Sequence, residues 1–455
     1  MRSGRLFADG RRLMRLKEGY EMSALSTQPY KGARDFYPQD KRLQKWIFAR
    51  WREVVERFGY EEVDAPILES MDLYRAKTGD EIVDNQTYNF TDRGGREVAI
   101  RPEMTPSVSR MVAGRRQELA YPARWYSIPN LWRYERPQRG RSREHWQLNV
   151  DIFGVETIDA ELELIMVAAS VMKAFGAKED MYQIRINSRK VMDLVFTDYL
   201  ELDVIQASMM AKLFDRQAKM PPEAFYREAG GIFDKDQETG IKKLEKLIGA
   251  KSLADLPESV TKSKAMRAVQ LLFTHLKENN INNARFDVSL MRGFDYYTDI
   301  VFEVFDTNEA NPRALFGGGR YDGLVGLFGV ENLPTAGFGM GDVTIRDFLE
   351  THELMPELAS ETDVYLIVIG DILRQANGVA NLLRNEGVNV ALDVTNRPVD
   401  RQIKSASKNN IRYALFVGEE ELSSEQFTIK DLVSGNEEKH SIERIVAMLK
   451  DGRKN

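Results

Sequence analysis

Cysteine is absent from this 455-residue chain, which excludes disulfides, thiol nucleophiles and cysteine-ligated metal centres. Histidine is scarce: His145, His275, His352 and His440 are the only four, no two of them at ligand spacing, so no zinc site is expected. No stretch approaches the roughly 20 apolar residues of a bilayer-crossing helix, and no membrane partner is expected. An excess of positive charge is lacking too. The net charge of −6 excludes a chain whose whole surface is a nucleic-acid sponge, although a local basic patch is compatible with it. What remains is an ordinary globular balance, 43% apolar and 29% charged, on a chain long enough for two or three cores.

The first residues are basic (Arg2, Arg5, Arg11, Arg12, Arg15, Lys17) but also carry Asp9, Glu18 and Glu21 without an apolar centre. They fit neither a signal nor a transit peptide. Residues 1–28 read as a disordered extension, with Met22 a second plausible start, and the location expected is the cytoplasm. From Gln39 to Phe58 apolar residues recur at helical spacing, and Gly59 follows as a stop. Residues 86–155 read as short strands and tight turns, with Arg93-Gly94-Gly95-Arg96 as a hairpin turn. A helix is predicted from Asp159, as N-cap, to Phe175. Residues 190–280 read as all-helical. Strands return at Phe286–Leu290 and Ile300–Phe305, and Phe316–Gly323 reads as a glycine-rich turn. Beyond a charged linker, Glu350–Thr362, strand and helix alternate from Val364 to Val417, which implies a small α/β domain with a mainly parallel sheet.

Three polar clusters fall on predicted strands: Ile100–Thr105, Trp132–Pro137 with Gln147–Asp151, and Arg292–Tyr297. Arg133 and Glu135 would share one strand face, and Gln147, Asn149 and Asp151 another, since i and i+2 point the same way. A guanidinium held opposite carboxylates and an amide can cradle a carboxylate or phosphate beside an amine. The same pattern also fits a solvated face of surface ion pairs worth ~0–1 kcal/mol. The run Gly317–Gly319 lacks the lysine and hydroxyl ending of a phosphate-binding P-loop.

Together the clusters do more. Phe58-Gly59-Tyr60 with Pro66, then Arg133-Tyr134-Glu135-Arg136-Pro137, then a last strand leading into Gly337-Phe338-Gly339-Met340-Gly341 resemble the three signature motifs of class II aminoacyl-tRNA synthetases. Lys31-Gly32-Ala33-Arg34-Asp35-Phe36 resembles the opening motif of the histidyl-tRNA synthetase family. Arg292-Gly293-Phe294-Asp295-Tyr296-Tyr297 resembles that family's own histidine loop. The resemblance runs from about residue 30 to the C-terminus.

It implies an α+β catalytic domain on an antiparallel sheet (29–190 and 283–350), a helical insertion (191–282) and a C-terminal α/β anticodon-binding domain (363–455). It also implies ATP, Mg²⁺, L-histidine and tRNA(His) as ligands, and a homodimer with Pro66 and the helix before it at the interface. Glu103 and Thr105, with Gln147 nearby, would hold the α-amino group of histidine. Asp151 and Tyr297 would read the imidazole, and Tyr296 would line the pocket. Arg133 and Arg292 would touch histidine and the α-phosphate, Arg292 carrying most of the catalytic charge, and Glu135 would lie on the adenine side. Gln138, Arg139, Arg141 and Arg143 would meet the tRNA acceptor end. The sequence departs from the family pattern at two positions. Thr344 stands where the family has an arginine for the ATP γ-phosphate, with Arg346 two residues on, and Asp151 stands where many members have glutamate.

Overall fold

The computed structural model describes residues 25–75, 86–217, 220–233, 236–250, 252–291 and 297–451. It forms two compact units, Met1–Met355 and Pro356–Asn455. Among the described residues no helix is long and apolar enough to cross a membrane.

The first unit opens with α1 (Pro38–Arg57), which has proline in its first turn and Asp40 near its positive end, both suited to a helix start. Leu43, Ile47, Trp51, Val54 and Val55 bury one stripe, and Gly59 ends the helix at φ +80°, where a side chain would be strained. The strands follow in chain order: β1 (Glu61–Glu62), β2 (Leu68–Ser70), β3 (Tyr88–Thr91), β4 (Glu97–Ile100), β5 (Ala123–Ser127), β6 (Asn130–Trp132), β7 (Glu144–Phe153), β8 (Tyr182–Ser188), β9 (Ala284–Phe286), β10 (Ile300–Asp306), β11 (Ala314–Arg320) and β12 (Thr335–Gly341). A large sheet runs β1-β5-β7-β12-β11-β10-β8-β9, with β6 on β7, and a small one runs β2-β4-β3. The large sheet is antiparallel from β5 to β8, as expected, and gains a parallel strand at each edge, β1 on β5 and β9 on β8.

Several local expectations change. The Ile100–Thr105 cluster is not a strand: β4 ends at Ile100 and Thr105 opens α3 (Thr105–Arg115), whose Val108 and Val112 pack with Met104, Phe153 and Val325. Arg133 and Glu135 do not share a strand face either, because β6 stops at Trp132 and residues 133–137 run irregularly. Asp159 is the first residue of α4 (Asp159–Ala174) rather than its cap, a place held by Ile158. The strand expected at Phe286–Leu290 ends at Phe286. The glycine run is not a turn but the middle of β11.

The region 190–280 is helical as expected, with α5 (Arg189–Leu194), α6 (Val204–Arg216), α7 (Pro222–Gly230), α8 (Gln237–Ile248), α9 (Glu258–Thr261) and α10 (Lys264–Glu278). Side-chain caps start α6 and α10: Asp203 accepts from the amides of Ile205 and Gln206, and Ser263 from that of Met266, satisfying donors the first turn leaves open. α5 packs on β8 and β10, and α10 on α4 and β8, so the two ends of this region are built into the sheet. The unit closes with α11 (Asp342–Thr351), which packs on β7, β11 and β12.

The second unit has a five-stranded sheet. Val364–Val368, Val390–Leu392 and Tyr413–Val417 are parallel, while Phe427–Asp431 and Glu437–His440 pair antiparallel beyond them. The sheet is therefore mixed rather than mainly parallel. Alternation along its first strand feeds two cores. Val364 and Leu366 meet Ala376, Leu383, Ile445 and Leu449 on one face, and Tyr365 and Ile367 meet Ala406 and Ile411 on the other, as a sheet covered on both sides requires.

Candidate active site

β7 is the spine of the site. Gln147, Asn149 and Asp151 alternate onto one face, opposite Gly341, Gly339 and Gly337 of β12. A Cβ at Gly339 would collide with the Gln147 amide, and one at Gly337 with the Asp151 carboxylate and the Tyr321 hydroxyl. Glycine is required at both because polar side chains occupy that space. The result is a cavity of about 210 Å³ lined by Glu103, Thr105, Arg133, Gln147, Tyr297 and Tyr321, with Phe302, Glu303 and the glycines of β11 and β12 completing its walls.

The sequence-predicted residues Glu103, Thr105, Arg133, Gln147 and Tyr297 thus meet in one place. Thr105 comes from the first position of α3. Arg133 is oriented by donating from Nε to the Pro102 carbonyl at 2.8 Å. Burial pushes the Tyr297 hydroxyl well above its ordinary pKa, with the carboxylates of Glu103, Glu303 and Asp151 adding to the effect. Asp151 lies deeper, 3% exposed, and accepts a hydrogen bond from the Tyr321 hydroxyl. Burial raises its carboxyl to about 7, opposed by that hydrogen bond. Tyr321 and Glu303 were not foreseen. Tyr321 sits just past a glycine run read as a turn, and its alternation along the end of β11 would have been the signal.

A second cavity, about 180 Å³, adjoins the first. Arg133, Gln147 and Gly339 line both, and the second adds Glu135, Arg141, His145, Val343 and Thr344. His145 is the one aromatic ring in that lining, and its spacing in the sequence does not single it out. Burial, then the nearby Arg133 and Arg34 cations, push its pKa down to about 3, so the ring is neutral at physiological pH. Thr344 donates to the Leu315 carbonyl at 2.6 Å. Arg346 is paired with Glu350 at 2.9 Å and lies 3.6 Å from Asp40, so it does not line either cavity.

The residues Lys31 to Phe36 clamp this region. The Gly32 carbonyl accepts from the amides of Arg143 and Glu144 at 2.9 and 3.2 Å, and Arg34 pairs with buried Asp342 at 2.7 Å. Asp342 also accepts from the Trp146 amide at 2.9 Å, tying β7 to the start of α11.

The four residues expected at the tRNA end separate. Gln138 and Arg141 close a tight turn by reciprocal backbone hydrogen bonds of 3.1 and 2.8 Å. Arg141 is exposed and lies 3.3 Å from Glu135. Arg139 reaches back to Asn311 and Thr351. Arg143 must be corrected: it is 8% exposed, stacked 4.0 Å over the Tyr134 ring and bonded to the Glu135 carbonyl and the Tyr30 hydroxyl. A guanidinium so enclosed holds the loop's stem and is not presented to a phosphate. Arg292 and Tyr296 lie outside the described residues, as do residues 1–24 of the expected extension.

The fold is shared with solved structures. A histidyl-tRNA synthetase from Nostoc sp. PCC 7120 superposes with a TM-score of 0.79 at 20% identity, covering 94% of this chain and 99% of that one. The apo histidyl-tRNA synthetase of S. aureus gives 0.68 at 22% identity, over 93% and 100%. This is the architecture of class II aminoacyl-tRNA synthetases. Residues 32–342 match the family described as Histidyl-tRNA synthetase, and residues 363–452 match Anticodon binding domain. The chain is 42% identical to the Histidine--tRNA ligase of Leptospira biflexa over 94% of its own length and 98% of that protein's. It is 37% identical to that of Thermoplasma volcanium, over 90% and 95%. The chain belongs to the histidyl-tRNA synthetase family and is an aminoacyl-tRNA ligase.

Proposed function

We propose that this chain joins L-histidine to tRNA(His) at the expense of ATP, through a histidyl-adenylate, with release of pyrophosphate and then AMP. The observation that carries the reading is the pair of adjoining cavities with Arg133 in the wall of both. Histidine fits the first. Glu103 answers its ammonium group, Thr105 and Gln147 offer further acceptors, and Tyr297 and Tyr321 face the imidazole, with Tyr296 of the histidine loop completing the pocket by resemblance. Asp151 acts through Tyr321: a phenol that donates to a carboxylate leaves its own oxygen free to accept from an imidazole N–H.

ATP fits the second cavity, its adenine on the neutral His145 ring beside Glu135 and its α-phosphate toward Arg133 and Arg292. The histidine carboxylate attacks the α-phosphorus and pyrophosphate departs. The 3′-terminal ribose hydroxyl of tRNA then attacks the adenylate carbonyl, and AMP departs. Arg133 holds both reacting groups in register and faces the charge that develops between them. Mg²⁺ would arrive with ATP and neutralise charge on its phosphates.

The second unit is the natural partner of the anticodon, and Arg141 that of the acceptor end. The reading extends to a cytoplasmic homodimer through α1 and the Pro66 segment. Ile67 and Leu68 of that segment, each nearly half exposed, offer apolar surface such an interface can cover. Labelled histidine, ATP, Mg²⁺ and tRNA(His) transcript should yield histidyl-tRNA with the wild-type protein and almost none with Arg133→Ala. Absence of product from the wild type with intact tRNA would contradict the reading.

A further inference from the structure

The turn that carries Arg141 into the nucleotide-side cavity is tied down at its tip by Arg139, beside Asp347, whose carboxylate accepts from the Gly140 amide. Arg139 donates from Nε to the Asn311 Oδ1 at 2.9 Å and from Nη2 to the Thr351 hydroxyl at 2.9 Å. Its partners form a built socket. Asn311 is 8% exposed and donates from Nδ2 to Asp306 Oδ2 at 2.7 Å and to Thr351 at 3.1 Å. The other oxygen of Asp306 meets His352 Nε2 at 2.7 Å, and that carboxylate is fully buried. The Asn308 amide also bonds Asp306, and Asn308 in turn holds the amides of Ala310 and Asn311. The orientation of the Asn311 carbonyl oxygen is therefore fixed before Arg139 arrives. A guanidinium fork fits two such acceptors, and a lysine would reach one.

Beneath this bridge lies a hollow of about 360 Å³ with walls from Gly140, Pro312, Leu315 and Thr344. Gly140, Leu315 and Thr344 also line the nucleotide-side cavity. The turn thus spans open space from Arg143 at its stem to a tip held by Arg139 and, through the Gly140 amide, by Asp347.

We propose that Arg139 is a positioning residue for ATP: by latching the turn onto Asn311 and Thr351 it sets where Gly140 and Arg141 stand in the wall of the nucleotide cavity. This assigns to Arg139 a role in the first half-reaction in place of the RNA-phosphate contact expected from its basic loop. The inference rests on the assignment of that cavity to ATP.

The test compares histidine-dependent ATP–pyrophosphate exchange, without tRNA, in wild type, Arg139→Ala, Asn311→Ala and the double variant, with melting temperatures as a folding control. The latch predicts that each single change raises the KM for ATP about tenfold, the loss of one charge-assisted hydrogen-bonded contact, with the KM for histidine little moved. It predicts that the double variant is no worse than Arg139→Ala, because Asn311 acts on the turn through that guanidinium, and that Arg139→Lys recovers part of the loss. An unchanged KM for ATP in Arg139→Ala, or single effects that multiply, would overturn the latch. A wild-type protein without histidine-dependent exchange would instead overturn the ATP assignment, and this inference with it.

Discussion

The Tyr321 hydroxyl donates to the Asp151 carboxylate, joining the end of β11 to the middle of β7 at the floor of the first cavity. The carboxyl lies in a nearly dry place, and burial raises it to about 7 from an ordinary 3.8, against the hydrogen bond. Between those values the folded protein holds a proton that the unfolded chain has released. Stability should therefore fall as pH rises from about 4 to about 7 and stay lower above it. Asp151→Asn has no such proton to lose. Without ligand it should melt higher than the wild type at pH 8, with the gap closing toward pH 5, while its histidine affinity collapses. An equal gap at both pH values would refute this account of Asp151.

His145 should serve ATP as a neutral ring. Its pKa, pushed down to about 3 by burial and then by Arg133 and Arg34, keeps it uncharged through the working range. His145→Phe should leave the KM for ATP within about threefold of wild type, and His145→Ala should raise it about tenfold or more, as loss of a stacking surface worth ~1–3 kcal/mol implies. Equal losses in the two variants, measured by pyrophosphate exchange, would show that the ring does not stack.

Gly339 keeps the wall between the two cavities thin. A methyl group there meets the Gln147 amide, so Gly339→Ala should displace that amide and raise the KM for histidine more than the KM for ATP. A Gly59→Ala control, at a glycine of positive φ with open space around it, should cost stability and leave both constants near wild type.

Arg320 and Glu161 form a nearly dry, bidentate pair of 2.6 and 2.7 Å, with Arg320 also holding the carbonyls of Val155 and Thr157. Removing Glu161 leaves the buried Arg320 cation with Asp322 alone, 3.4 Å away and 35% exposed, and breaking a buried pair costs about 3–5 kcal/mol. Glu161→Ala should lower the urea midpoint accordingly. Because Tyr321 follows Arg320 in sequence, histidine binding should weaken with it. A midpoint unchanged from wild type would show that the pair adds nothing.

The reach of the sequence can be read from these residues. The spacing of Leu43, Ile47, Trp51 and Val54 made α1 legible, and the motifs single out Glu103, Thr105, Arg133, Gln147 and Tyr297, which line one cavity. α3 was missed because its apolar residues are few and sit beside proline and serine, which read locally as turn. The glycines of β11 were misread because glycine punctuates most chains, whereas here its missing side chain lets strands and polar groups crowd together. Arg143 was misplaced because a loop arginine looks solvent-facing until Tyr134 and Tyr30 are seen to enclose it. His145 and Tyr321 became visible only when strand pairing showed which cavity each one lines.

The central claim is that these cavities activate histidine and no other amino acid. ATP–pyrophosphate exchange with each of the twenty amino acids tests it most directly. Exchange above background with histidine alone, lost in Asp151→Asn and in Arg133→Ala, is the result predicted. Exchange driven by a different amino acid, or by none, would contradict it.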